Sequence, residues 1–225
     1  MSVIENLNTI QQNIQQACEK SGRKPEHIQI IAVTKYVSVE RTKTVIDAGI
    51  RNIGENRLEG FQEKYQAIDN EVDWHFIGTL QSRKVKDVIN QVDVVHSLDR
   101  KSLAKEINKR ADSQVPCFVQ VNVSGEETKH GLAVDEVIEF IHLLKNYPKV
   151  HVVGLMTMAP HVEDEQVIRD CFKQLRQLRD DVQQLGLDHA PCEFLSMGMS
   201  NDYTIAIEEG ATHIRIGSKL VGKED

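Results

Sequence analysis

The sequence has no excess of basic charge. Its 27 Lys and Arg stand against 34 Asp and Glu, a formal net charge of −7, with a pI near 5.7. A nucleic-acid partner is therefore not expected, because a phosphate backbone is met by clustered Lys and Arg. Paired cysteines are also missing. Cys18, Cys117, Cys171 and Cys192 are far apart and form no C-x-x-C pair, so reduced cytosolic thiols are expected rather than a zinc site or a disulfide framework. The nine histidines include no H-E-x-x-H pair, and no structural metal is expected. Met1 to Gln16 holds no basic region followed by an apolar block, and no stretch approaches the length of a membrane span. A soluble, cytoplasmic protein with no membrane partner is the expectation. Neither G-x-x-x-x-G-K-[ST] nor G-x-G-x-x-G occurs, which disfavours P-loop and Rossmann nucleotide sites.

What is present is a repeated strand–helix rhythm. An opening amphipathic helix is predicted over Val3 to Lys20, with Ile4, Leu7, Ile10, Ile14 and Ala17 on one stripe. Eight strands follow: Ile28–Thr34, Arg51–Gly54, Trp74–Gly78, Asp93–His96, Pro116–Val121, Val150–Met156, Glu193–Ser196 and His213–Gly217. The clearest helix between them is Glu165 to Leu185, where Val167, Ile168, Cys171, Phe172, Leu175, Leu178, Val182 and Leu185 form an apolar stripe and Gly186 ends it. Strands alternating with helices imply a parallel sheet, and eight such units imply a closed (β/α)8 barrel. With Asp225 closing the chain soon after the eighth strand, the N-terminal helix is expected to complete the outer ring. No linker rich in Pro, Gly or Ser interrupts the pattern, so residues 1–225 are expected to form a single domain.

Three places carry chemistry. Lys35 closes the apolar run Ile30-Ile31-Ala32-Val33-Thr34, which has the composition of a buried strand. A lysine there either reaches solvent along its stem or stands at the face where parallel α/β folds collect active sites. The segment Ser196-Met197-Gly198-Met199-Ser200-Asn201-Asp202 leads into a helical stretch from Tyr203 to Glu209, with Ser200 or Asn201 as its cap and an anion-binding end. The eighth strand ends in Arg215-Ile216-Gly217-Ser218, where Gly217 permits close backbone approach and Ser218 offers a hydroxyl. Loops after strands seven and eight are the recurrent phosphate site of barrel enzymes. Barrel closure sets strand eight beside strand one, so Lys35 is expected at the same rim. A lysine facing a phosphate cradle implies a phosphorylated carbonyl compound, since a lysine lowered in pKa by burial and a neighbouring cation can attack a carbonyl. Alternation places His213, Arg215 and Gly217 on the barrel side. Arg215 then needs a partner, either the bound compound or a buried carboxylate such as Glu55.

These residues, with Ala32-Val33-Thr34-Lys35, Gly54-Glu55-Asn56, Trp74-His75-Phe76-Ile77-Gly78, Leu80-Gln81, Gly154-Leu155-Met156, Leu195-Ser196-Met197-Gly198-Met199-Ser200 and Arg215-Ile216-Gly217, resemble the YggS family of pyridoxal-phosphate-binding proteins. The resemblance spans nearly the whole chain and implies a barrel similar to that of alanine racemase. It implies pyridoxal 5′-phosphate (PLP) as cofactor, with Lys35 as the aldimine lysine and Ser200, Gly217 and Ser218 as the phosphate cradle. Arg215 matches the arginine facing the pyridine nitrogen, and Asn56 and Met156 fall on positions that line the ring. An arginine there keeps the ring nitrogen unprotonated and weakens the ring as an electron sink.

Three function classes stay open. One is a non-catalytic protein that holds PLP as a Schiff base in vitamin B6 and amino-acid homeostasis, a monomer whose partners are PLP and PLP-dependent apo-enzymes. The second is a small single-domain amino-acid racemase. The third is a phosphosugar barrel enzyme without PLP, which would use the same phosphate loops. Racemases of this fold use a second base from another domain, which this chain is not expected to possess. Tyr36 is expected on the strand face opposite Lys35 and so makes a poor substitute.

Overall fold

The computed structural model describes residues 2–126 and 128–222; Asp225, the last residue of the expected domain, lies outside them. Eight parallel strands close in chain order: β1 Gln29–Val33, β2 Asn52–Glu55, β3 Asp73–Phe76, β4 Val94–Leu98, β5 Val115–Gln120, β6 Val150–Met156, β7 Phe194–Met199 and β8 His213–Ile216. The sequence reading has the fold and all eight strand positions, with differences at the ends. Closure is made by β1 against β8, in a register that sets Ile31 opposite Arg215 and Ala32 opposite Ile216. That register brings Lys35 and Gly217, the residues just beyond the two strands, to the same rim.

The first helix, α1 (Val3–Ser21), starts on a capping box. The Ser2 hydroxyl accepts from the Glu5 amide and the Glu5 carboxylate accepts from the Ser2 amide, which satisfies two orphan N–H groups. Its buried stripe is Val3, Leu7, Ile10, Ile14 and Ala17. Ile4, expected on that stripe, points into water because its neighbours Val3 and Leu7 already define the packed face. The ring continues with α2 (Val39–Asp47), α3 (Leu58–Ile68), α4 (Lys101–Arg110), α5 (Val137–Leu144), α6 (Glu165–Gln184), α7 (Tyr203–Glu208) and α8 (Ser218–Val221). Between β3 and β4 the crossover is a 3-10 turn, Ser82–Asp87. The helix α1 packs against α2, α7 and α8, and Asn6 Nδ2 donates to the Leu220 carbonyl at 3.1 Å, so it covers the seam as the chain order requires. On α6, Val167 is exposed at the helix start while Ile168 is buried, which corrects the stripe by one residue.

The outer core, between strands and helices, is apolar; the four cysteines are buried in it as free thiols. The barrel interior differs. It holds His75, His96, Gln120, Ser196, His213 and Arg215, all buried. Polar groups taken from water must find partners inside, and these do.

Candidate functional site

At the C-terminal ends of the strands lies a cleft of about 540 Å³, lined among others by Lys35, Asn56, Ser200, Arg215, Gly217 and Ser218. Six of the seven residues singled out in the sequence therefore meet at one mouth. Met156 is the exception: it is buried at the end of β6, in register with Gln120 and Ser196, and the cleft is lined instead by Met158, two residues on. A depression of about 550 Å³ at the opposite face is ringed by the exposed Asp73, Asp93 and Asp112. It contains none of the expected site residues and lies at the strand N-termini, the face barrel folds use for stability.

Lys35 does not close the strand. Pairing ends at Val33, and Thr34 to Val37 form a turn in which the Val37 amide donates to the Thr34 carbonyl at 3.2 Å. Lys35 is consequently exposed rather than buried. Tyr36 takes φ +68°, a left-handed conformation rare outside glycine, so strand alternation no longer separates the two side chains. Its ring lies in water with the Lys35 Nζ 5.6 Å and the Arg57 Cζ 5.5 Å from the centroid. The expectation that Tyr36 faces away is overturned for that reason.

On the other side of the seam, the Ser200 hydroxyl accepts from the Gly217 amide at 3.3 Å, joining the loops after β7 and β8. A side chain at Gly217 would meet only Val33 atoms at 3.7 Å or more, so the protein's own packing leaves that spot open toward the cleft. Neither Ser200 nor Asn201 caps α7. That place belongs to Asp202, whose carboxylate turns back to accept from the Met199 amide at 2.5 Å. Burial raises the Asp202 pKa, partly offset by that amide and by Arg215. The strand β7 runs on to Met199 because Gly198, at φ +90°, lets the chain pass where a Cβ would lie 2.5 Å from Ala206.

Arg215 rises from the barrel interior to the cleft floor. Its Nη1 donates to Ser196 Oγ at 2.6 Å and its Nη2 to the Thr157 carbonyl at 2.9 Å. Desolvation lowers its pKa to about 10, and it remains a cation at neutral pH. Glu55 is not its counter-ion, because that carboxylate is held by Lys64 at 2.8 Å and Thr34 at 2.6 Å.

Below Arg215 a polar chain descends through the barrel. Ser196 Oγ is 2.9 Å from His96 Nδ1, His96 Nε2 is 2.9 Å from His75 Nδ1, and His75 Nε2 is 3.0 Å from Asn52 Oδ1. Burial holds these imidazoles neutral: it brings His75 to about 3 and His213 to about 4, and His96 well below its ordinary value. The donors can then be assigned in order. Asn52 Oδ1 only accepts, so His75 carries its proton on Nε2; His96 must donate from Nε2 to His75 Nδ1; Ser196 donates to His96 Nδ1. Serine is left with lone pairs for the arginine. These partners were not foreseen from the sequence, where the histidines lie far apart; the available signal was a polar residue within each of several otherwise apolar strands.

Gln120 at the end of β5 also reaches the cleft, its Nε2 donating to the His130 carbonyl at 3.1 Å. Lys64, buried on the barrel-facing side of α3 between Phe61 and Ile68, was missed as well. A lysine interrupting an apolar stripe was the available sign.

Residues 6–225 match the family described as alanine racemase, N-terminal domain. The chain is 41% identical over 230 residues to a pyridoxal phosphate homeostasis protein of Aquifex aeolicus, covering 99% of both chains. Among solved structures, PipY of Synechococcus elongatus with PLP bound is 27% identical, with a TM-score of 0.85 over 98% of this chain and 100% of that one. An alanine racemase of Clostridium difficile, 16% identical with a TM-score of 0.77, shares the fold; the match covers 99% of this chain and 57% of that one. By sequence and by fold, then, the chain belongs to the YggS family of pyridoxal phosphate homeostasis proteins, built on the alanine racemase N-terminal barrel.

Proposed function

We propose that this chain is a PLP-binding barrel, residues 1–225, acting in vitamin B6 and amino-acid homeostasis without catalysing turnover. The observation that carries the reading is the meeting of Lys35, Arg215 and the Ser200–Gly217 contact around one cleft. The residues present fit the cofactor. Lys35 offers a solvent-reachable primary amine; Ser200, Gly217 and Ser218 offer a hydroxyl pair and an open glycine backbone; Arg215 offers a buried cation at the floor. The PLP-bound PipY structure and the relatives named for PLP homeostasis support the same assignment.

When bound, PLP supplies an aldehyde that condenses reversibly with primary amines and a ring that can draw electrons from the attached group. The protein's side chains set what use is made of it. Ser200 and Ser218 would hold the phosphate by charge-assisted hydrogen bonds, and Asn56, which lines the same cleft, would meet the ring. Arg215 keeps its own proton and presents a positive charge, which disfavours a protonated ring nitrogen. Tyr36, the neighbour of Lys35 in the chain, lies in water, where it lacks the enclosure that proton transfer at carbon requires.

In this reading the protein works in the cytoplasm as a monomer and exchanges PLP with apo-enzymes; among the described residues no helix is long and apolar enough to cross a membrane. Purified protein should carry a visible absorption band that borohydride bleaches, with a phosphopyridoxyl group on the Lys35 peptide. Labelling at Lys43, Lys84 or Lys219 instead would defeat the assignment.

A further inference from the structure

The buried pair Glu55–Lys64 has no contact with the cleft, yet it grips the residue from which Lys35 departs. Lys64 Nζ donates to Glu55 Oε1 at 2.8 Å and to the Thr34 carbonyl at 3.0 Å, and Thr34 Oγ1 donates to the same Glu55 oxygen at 2.6 Å. Both charged side chains are almost wholly buried, 2% exposed for Glu55 and 5% for Lys64. Thr34 is completely engaged, since its amide also donates to the Gly54 carbonyl at 3.2 Å and its carbonyl accepts from Val37. Gly60 on α3 makes room: a Cβ there would lie 3.2 Å from Glu55 Oε2 and 3.9 Å from Lys64 Nζ.

We infer that Glu55 and Lys64 are positioning residues for Lys35, clamping Thr34 by hydroxyl and carbonyl so that the Lys35–Tyr36 turn is held in its left-handed form. A buried ion pair is poor value as a stabiliser, because desolvation consumes most of the attraction and an apolar pair of similar volume often serves as well. Its geometry here gives it another use. The turn contains a non-glycine residue at φ +68°, a strain that persists only where the surroundings over-determine the backbone. A full charge on the Thr34 carbonyl makes a stronger restraint than a neutral donor. An exposed lysine has four rotatable bonds, and rigid anchorage of its backbone is what confines the amine to the cleft rim.

The inference rests on the proposed cofactor role of Lys35 but is tested separately from it. Affinities are measured for PLP and for pyridoxamine 5′-phosphate, which offers the same ring and phosphate without an aldehyde, alongside hydrogen exchange at the Val37 amide. The double variant Glu55→Gln/Lys64→Met keeps volume and leaves no buried charge unpaired. It should lose affinity for PLP by about tenfold or more, the scale of a charged hydrogen bond, retain pyridoxamine 5′-phosphate binding within about twofold, and exchange Val37 about tenfold faster. Lys64→Arg, which keeps a donor for Thr34, should recover most of the PLP affinity. Equal losses for both ligands, or unchanged PLP affinity, would show that the pair only packs α3 on the barrel. Should the double variant not fold, Thr34→Val removes only the hydroxyl and carries the same comparison. If wild-type protein binds neither ligand, the cofactor reading fails, while an unchanged Val37 exchange rate in the variants overturns the clamp on its own.

Discussion

Arg215 and Ser196 stand on neighbouring strands with guanidinium Nη1 and serine Oγ 2.6 Å apart, the last link in a polar chain that starts at Asn52 near the other end of the barrel. Because each imidazole in that chain is neutral, its donor order is determined and Ser196 can only accept from the arginine. Arg215, at the cleft floor, is thereby held through groups that do not line the cleft.

Ser196→Ala removes that acceptor without changing volume much. An unsatisfied buried charged donor costs about 1.5–3 kcal/mol, so the variant should unfold at lower urea and show a shifted visible band if PLP is bound over a loosened arginine. An unaltered band and an unaltered unfolding midpoint would mean that Thr157 alone suffices to hold Arg215.

Ser200→Ala tests the phosphate end. It should weaken PLP binding by about tenfold while leaving unphosphorylated pyridoxal nearly unaffected. Titration with the two ligands decides it, and parallel losses would place the phosphate elsewhere.

The buried histidines make stability depend on pH. Their folded pKa values, about 3 for His75 and about 4 for His213, lie below the ordinary value near 6.5. Below about pH 6.5 the unfolded chain therefore binds protons that the folded chain refuses. Stability contributed by the neutral histidines is full above about pH 6.5 and is lost as pH falls toward about 3, at up to about 1.4 kcal/mol per pH unit for each group. Urea unfolding at pH 7, 6, 5 and 4 reads this directly. A flat profile would show that the imidazoles are not neutral partners in the folded barrel.

Gly78 stands where the chain leaves β3, and a Cβ there would lie 2.2 Å from the Asn56 carbonyl oxygen. Gly78→Ala must push two backbones apart at the cleft wall, a loss of several kcal/mol, on the order of 3. Soluble expression followed by thermal unfolding measures it; a fall of only a degree or two would mean the loop yields easily.

Wild-type protein should show no steady interconversion of D- and L-amino acids under conditions where a racemase is active, because the Arg215 cation at the cleft floor would disfavour a protonated pyridine nitrogen and Tyr36 lies in water. Arg215→Glu, if folded, should raise slow transamination from a near-zero baseline. Racemisation that disappears in Lys35→Ala would establish an enzyme instead.

Element order, the parallel barrel and the rim shared by Lys35, Ser200 and Gly217 were legible in the sequence, because hydrophobic periodicity and turn residues are local signals and closure follows from counting strands. Local signals have a short reach. Lys35 looked like a buried strand end because apolar composition runs up to Thr34, whereas pairing with β8 stops at Ala32 and pairing with β2 at Val33. Met156 and Met158 share a strand direction in sequence, and only the path of the chain after β6 decides which one reaches the cleft. The partner of Arg215 was undecidable between ligand and Glu55 until α3 delivered Lys64 to that carboxylate. The steps His75–His96 and His96–Ser196 span 21 and 100 residues, and their hydrogen-bond order arises only when strands three, four and seven face one another across a dry interior. Periodicity says which side of a strand a residue takes; what it meets there is set by burial and by the groups other strands bring, and that is the part tertiary structure alone decides.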